Sequence, residues 1–519
     1  MPPLENKATK EFEMRDAKEG ISLPGMLARQ SSTDDEDSES LQLLGRGKND
    51  DQERPSSSSF AGAPNGNNKL EKTLGLWSGV AIIVGVMIGS GIFAFPGEVL
   101  KFSPSRGAAL AAWILSGSLA LTGALSYAEL GTAIPSAGGE QAYLKEAYGT
   151  FRLCGADVGD LLSFMFCWTN VFVTRPASLA IICLVFGEYM QKFASGVSSA
   201  KGATAWGFGC MVLVTTINAV SVKAAIKTQD TLTWIKVIVL LAISGSGIML
   251  LVENSGDFFS ESPEHEANRS PLSATYGVAL QGCLFAYDGW QNLNYVVEEL
   301  KNPAQLPKAL MMGVPTVVLL YFFVNMAYFA ALPPSEVETT TTIGVDFARK
   351  VFPPFVVAAM PLLIALSALG SANGTIMSAS RLVYASARAK QLPSLLAQVH
   401  STLATPVWAL VFEFAIGCAL LLFGSLDTLL NYFGLAQWIF YFLTVLGLLI
   451  LRRTRPEMAR PYRVATAVPI VFCVTSAVLV VSTVAGAPSD SLVAIGFILA
   501  GGGVHACRVI YIKSGTVLQ

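Results

Sequence analysis

Apolar residues along this chain come in long blocks, not in the alternation of strands or the one-faced stripes of surface helices. Twelve blocks stand out, over about residues 75–98, 107–132, 157–190, 204–220, 229–252, 273–298, 309–331, 354–385, 405–423, 429–451, 465–485 and 489–511. Most are near or above 20 residues, the length a helix needs at 1.5 Å per residue to cross a hydrocarbon core about 30 Å thick. The pattern predicts an all-α membrane protein with twelve transmembrane helices. Blocks three and eight exceed one perpendicular crossing and are expected to tilt or to run past the lipid.

Composition supports the bilayer as solvent. Of 519 residues, 52% are hydrophobic and 14% charged, with mean hydropathy +0.51; a soluble domain carries about 25% charged residues. The first 73 residues hold 24 of the 72 charges and include "SSTDDEDSES" and "DDQERPSSSSFAGAPNGNN". Such a stretch buries too little apolar surface to offset its ordering entropy, so 1–73 is expected to be a disordered cytosolic tail. It has no apolar run of the signal-peptide kind. "LQLLGRG" within it reads as a chance leucine cluster in preference to a sorting motif. The transmembrane domain is expected over 74–515.

Lys and Arg concentrate in alternate loops, and "LRRTRPEMARPYR" alone contributes five. Short loops rich in these residues stay in the cytosol, which places both termini there. Eight cysteines, Cys154 in a loop and the rest in spans, give no disulfide pattern, and buried thiols behave as small apolar groups. Three scattered histidines suggest no metal site. The absence of a GxxxxGK[ST] loop argues against a nucleotide-driven pump. No cofactor and no nucleic-acid partner are expected.

Two spans break the helical rule. "VGVMIGSGIFAFPG" carries Gly85, Gly89, Gly91, Pro96 and Gly97, and "GVALQGCLFAYDGWQNLNYVVEEL" carries Gly277, Gly282 and Gly289. Glycine costs a helix interior about 1 kcal/mol and proline about 3. The breaks centre near residues 90 and 288, in the first and sixth spans, which are corresponding members of two five-span halves. An odd number of spans inverts the second half relative to the first, and paired broken helices in inverted repeats mark a transporter's binding site. Unwound backbone at membrane depth persists only where it is buried or lines a cavity. Its unpaired N–H groups, with the positive end of a half-helix, suit a carboxylate, and its freed carbonyls suit an ammonium group. The competing reading is that the glycines only allow close helix packing.

These motifs also carry a resemblance. "IIVGVMIGSGIFAFPGEVL", "SYAELGTAIPSAGGEQAYLKEAYG", "FAYDGWQNLNYVVEELKNPAQLPKAL", "SANGTIMSASRLVYASARAKQLP" and "RRTRPEMARPYRV" together make residues 74–463 similar to the L-type amino acid transporters of the amino acid–polyamine–organocation superfamily, with a fungal-type permease for amino acids such as methionine as the implied member. The resemblance implies a LeuT-like five-plus-five inverted repeat (about 74–252 and 273–451) with two C-terminal helices within 465–511. It implies that Gly89, Ser90 and Gly91 bind the substrate carboxylate. Carbonyls near Phe285, Ala286 and Asp288 would receive the amine, and Phe285 would close the site from outside. Gln437 and Trp438 would line the side-chain pocket, with Met87, Ile88, Leu435 and Ala436 as further apolar surroundings. Mammalian relatives carry a cysteine between spans three and four that bonds a glycoprotein heavy chain. "QKFASGVSSAKGATA" has none, so no disulfide-linked heavy chain is expected. Asp288 stands where large-neutral transporters often have glycine, and there the chain is more like the branch taking cationic amino acids and cystine.

Charges inside spans are functional candidates. Lys236, about 10 Å deep at 1.5 Å per residue, either occupies the place of a sodium ion in sodium-coupled relatives, as the resemblance implies, or snorkels to the interface. Arg175, in "VTRPAS", reads as a structural anchor beside a proline break. Asn373 either reaches the first break or makes an interhelical hydrogen bond. Glu298 and Glu299 read as a solvated cluster near Lys301. Asp288 either reads a cationic side chain or caps a half-helix. The expected function is sodium-independent secondary transport of amino acids, large neutral ones first and cationic ones also possible, by alternating access in the plasma membrane. A channel or nutrient receptor is the alternative, but no filter loop or ring of carboxylates is present. No clustered nucleophile and base suggest an enzyme.

Overall fold

A computed structural model describes residues 72–153, 156–196, 199–253, 276–340, 342–423, 426–486 and 488–517. The tail expected over 1–73 lies outside the described residues except for Lys72 and Thr73, and Cys154 lies outside them too. Helices dominate the described chain; its extended pairs are Arg152–Leu153 with Ala156–Asp157, antiparallel, and a single parallel bridge between Leu74 and Leu300. Among the described residues, ten helices are long and apolar enough to cross a membrane. Two shorter apolar helices, Tyr276–Ala286 and Val407–Leu422, fall on the sixth and ninth predicted runs.

The surface of the bundle is turned inside out relative to a soluble protein. The Val222–Glu253 helix exposes Trp234, Ile238, Leu241 and Met249 while burying Gln229, Thr233, Lys236 and Ser244. Apolar groups outward and polar groups inward is the arrangement lipid demands, and it makes this a multi-pass membrane protein.

Both predicted breaks are present. The first span runs as Leu76–Met87, resumes at Gly91–Ala94, and continues as Pro96–Lys101. The sixth runs as Tyr276–Ala286 and Asn292–Tyr295, then tightens to a 3-10 turn over Val297–Glu299. Between its halves Gly289 adopts φ +114°, a conformation open in practice to glycine.

The third span's excess length has a local cause. Helices Val158–Thr169 and Arg175–Ser195 are joined without a break by a π turn over Asn170–Thr174. Pro176 sits in the first turn of the second helix, where its missing N–H is tolerated. The proline break expected beside Arg175 is therefore absent.

The bundle is fastened by buried ion pairs, and here the solvated cluster expected at Glu298 and Glu299 is corrected. Glu299 is 1% exposed and takes Arg381 Nε at 2.6 Å. Glu298 pairs with Arg388 and accepts the backbone N–H of Ala137 at 2.9 Å. The sequence-level reading failed because the partners lie about 80 and 90 residues away, on the Pro354–Arg388 helix. The arginine-rich loop is also anchored: Arg452 Nε donates to the buried Glu129 at 2.9 Å, and the Val464 N–H does the same at 2.9 Å. Asn373 does not reach the first break. Its amide donates to Ala225 O at 3.1 Å and Gln229 Oε1 at 2.9 Å and accepts from Asn218 at 2.8 Å, tying three helices together.

Candidate substrate site at the paired breaks

The first break can be followed carbonyl by carbonyl. The last helical bond is Ile88 N–H to Val84 O, and Gly89 N–H turns back to Met87 O at 2.8 Å. Gly85 O thus loses its helical donor. It is taken instead by Lys236 Nζ, with Ser371 Oγ at 3.1 Å. Ile88 O accepts Lys236 Nζ at 2.6 Å and lies 3.1 Å from Ser371 Oγ and 3.3 Å from Ser367 Oγ. Met87 O accepts the Tyr321 hydroxyl at 2.7 Å. The same hydroxyl lies 3.2 Å from Ala286 O, so one tyrosine bridges the two breaks. Lys236, 2% exposed, does not snorkel.

The donors of the break are treated differently. Among the described residues, the backbone N–H groups of Ser90, Gly91 and Ile92 have no carbonyl partner. Gly89, Ser90 and Gly91 line a cavity together with Val86, Met87, Phe285, Ala286, Asp288, Ser371 and Thr375. The cavity is small: about 60 Å³ is open to the centre of a water-sized sphere, within about 590 Å³ of non-atom space that includes the solvent at its mouth. Ser90 and Gly91, with their unpaired N–H groups, and the second-break residues Phe285, Ala286 and Asp288 line the same cavity. The approach of the two breaks depends on glycine: a Cβ at Gly91 would stand 2.7 Å from Ala286 Cα.

Asp288 is held in the second break. Its Oδ1 accepts the Tyr441 hydroxyl at 2.8 Å and Gln291 Nε2 at 3.2 Å. Phe285 packs on Phe95 with ring centroids 5.2 Å apart, at one edge of the cavity.

The structure does not bring every expected residue to the cavity. Gln437 and Trp438 are absent from its lining, as are Ile88, Leu435 and Ala436. Trp438 turns toward Tyr441 and Phe472 instead, at 5.6 and 6.2 Å. Its tenth-span position is therefore a packing position here, and Tyr441, which the sequence reading passed over, is the residue of that span that reaches Asp288. Arg175, read from sequence as an anchor, lines the cavity, as does Asn292. Ser367 and Ser371 were also passed over. Their i, i+4 spacing on one face of a transmembrane helix was the available signal.

Broken helices around a central cavity define a multi-pass membrane transporter of the LeuT-like class, and comparison with known proteins agrees. A solved structure of Mhp1, a nucleobase-cation-symport-1 family transporter in a closed conformation with bromovinylhydantoin bound, superposes with TM-score 0.52 at 13% identity, over 87% of this chain and 96% of that one. The amino acid permease family model matches residues 74–505, and the chain belongs to that family. It is 37% identical to the b(0,+)-type amino acid transporter 1 of Mus musculus over 83% of this chain and 87% of the relative. It is 34% identical to the large neutral amino acids transporter small subunit 2 of Homo sapiens over 87% and 83%. The activity of this family is transport of amino acids across the membrane, not catalysis.

Proposed function

We propose that this transporter carries large neutral L-amino acids, accepts some cationic ones, and needs no sodium. The observation that carries the reading is the place of the Lys236 ammonium, among carbonyls freed by the first break. A fixed cation at that point supplies the positive charge that a bound cation would otherwise bring, so the broken helix is held without one. The substrate carboxylate meets the unpaired N–H groups at Ser90 and Gly91, and the amine faces the carbonyls of the second break. The apolar share of the lining (Val86, Met87, Ile181, Ile182, Phe285) suits a large uncharged side chain. Similarity to a large neutral amino acids transporter supports the same substrate class.

In this reading the cavity opens to alternate sides, the protein sits in the plasma membrane, and both termini are cytosolic. It works without a disulfide-linked heavy chain. The test is uptake of labelled leucine, methionine and arginine by proteoliposomes, in sodium or choline, with and without internal amino acid. Saturable, stereoselective leucine uptake unchanged in choline is the expected result. Strict sodium dependence overturns the role given to Lys236, and a non-saturating current indicates a channel.

A further inference from the structure

Two charged residues line the cavity, Arg175 and Asp288, one of each sign. Asp288 belongs to the second break; Arg175 comes from the third span, at the residue following the π turn. Arg175 is 4% exposed, and its guanidinium is fixed from two sides. One terminal nitrogen donates to Asn292 Oδ1 at 3.0 Å, and the Tyr295 ring lies under the guanidinium carbon at 4.4 Å. Asn292 is itself held, its amide donating to Gly289 O at 3.0 Å and its oxygen accepting Ser378 at 2.5 Å. Nε and the other terminal nitrogen of Arg175 have no hydrogen-bond partner among the described residues. Among the described residues no ion pair within 4 Å joins the guanidinium to Asp288; the two opposite charges share the cavity at longer range, and the hydrogen bonds to Asp288 both fall on one of its oxygens. Two other buried carboxylates, Glu140 and Glu413, also interact with Arg175 but do not line the cavity.

We infer that Arg175 is a specificity-determining residue: as the fixed counter-charge of Asp288, it keeps the cavity electrically balanced and so favours amino acids whose side chains carry no charge. An amino acid with an uncharged side chain is a zwitterion and adds no net charge to a balanced site. A cationic side chain adds an unpaired positive charge in a poorly solvated space, where such charges are costly. It must compete with Arg175 for Asp288. This rests on the amino acid reading of the same cavity and adds the residue that sets substrate charge.

The test is competition by unlabelled leucine and arginine against labelled leucine uptake in proteoliposomes of the full chain. Arg175→Gln leaves Asp288 without its counter-charge, and the inhibition constant of arginine should fall at least about tenfold relative to that of leucine, a change of about 1.4 kcal/mol. Arg175→Lys keeps the charge and should keep the wild-type ratio. Arg175→Gln with Asp288→Asn removes both charges and should restore a neutral preference. A Gln variant that weakens leucine and arginine in proportion makes Arg175 structural and overturns the inference. If the Gln variant is inactive, recovery of leucine uptake in the double variant supports the pairing, and an inactive double variant overturns it. Wild-type vesicles that take up no amino acid overturn the substrate reading and this inference with it, whereas an unchanged ratio in active variants overturns this inference alone.

Discussion

The ammonium of Lys236 donates to the carbonyl oxygen of Ile88 at 2.6 Å, joining the fifth span to the unwound turn of the first. It also bonds Gly85 O and lies 2.9 Å from Ser371 Oγ, so a single side chain satisfies groups on two other segments. Each hydrogen bond to a charged group contributes about 1.5–3 kcal/mol. Lys236→Met removes all of them and leaves Gly85 O and Ile88 O with only the hydroxyls of Ser371 and Ser367 as donors. We expect transport to be lost while the protein still reaches the membrane, measured as uptake normalised to surface protein. Sodium added to the variant should not restore uptake.

The glycines of the first break divide into two kinds. At Gly91 an added Cβ meets the backbone of Ala286 at 2.7 Å, which no rotamer can relieve. At Gly89 its nearest neighbour is Ser371 Oγ at 3.3 Å, a side chain able to shift. Gly91→Ala should therefore push the two breaks apart and cost both folding yield and uptake. Gly89→Ala should fold normally, and Gly89→Leu, whose larger side chain fills the cavity, should fold and fail to bind. Thermal unfolding and substrate binding measured on the three variants separate these effects. Full binding by Gly89→Leu would remove the carboxylate site from this position.

What the sequence made legible here is the periodic and the glycine-marked. Span positions follow from block length, and the breaks at 88–90 and 287–291 follow from glycines placed where a helix cannot use them. Lys236 stood out because a lone cation in an apolar run is costly. The illegible part is pairwise. Nothing near Glu299 in sequence announces Arg381, and nothing in "VTRPAS" tells that Arg175 turns into the cavity or that a π turn, not a proline break, precedes it. Trp438 shows the converse limit: an aromatic at a site-facing span position packs against Phe472, because three-dimensional neighbours and not span number decide which way it points.

The Arg381–Glu299 pair gives a stability prediction. Both side chains are 1% exposed. Removing one partner strands a buried charge at a cost of about 3–5 kcal/mol, whereas removing both can be near neutral. Arg381→Leu should lower the midpoint of thermal unfolding in detergent sharply. Arg381→Leu with Glu299→Leu should recover most of that loss. Equal destabilisation by the single and double variants would show that the two residues act independently.

A covalent partner is not expected. The seven described cysteines are free, and six of them are buried or half-buried. The loop joining the third and fourth spans contains no thiol. In native membranes the protein should migrate at the mass of its own chain, 55.1 kDa, with and without reductant. A band of higher mass that collapses to this one on reduction would overturn the expectation.

Phe285 supplies the last test. Its ring lies against Phe95, one aromatic from each broken helix, with centroids 5.2 Å apart and planes tilted by 54°. Phe285 also lines the cavity, so the pair stands where the two breaks and the substrate space meet. An aromatic contact of this kind contributes about 0.5–1.5 kcal/mol beyond its buried area. That is too little to decide folding but enough to bias a closing step. Phe285→Ala should therefore leave expression and thermal stability nearly unchanged while uptake falls steeply, because water enters a site that closure would otherwise exclude. Phe285→Tyr keeps the ring and should retain most uptake, whereas Phe285→Leu keeps bulk without the ring and should fall between the two. Substrate binding measured apart from uptake locates the defect: near-normal binding with slow uptake assigns Phe285 to closure, and binding lost in proportion to uptake makes it a plain contact. Wild-type uptake by Phe285→Ala would remove the residue from the gate altogether.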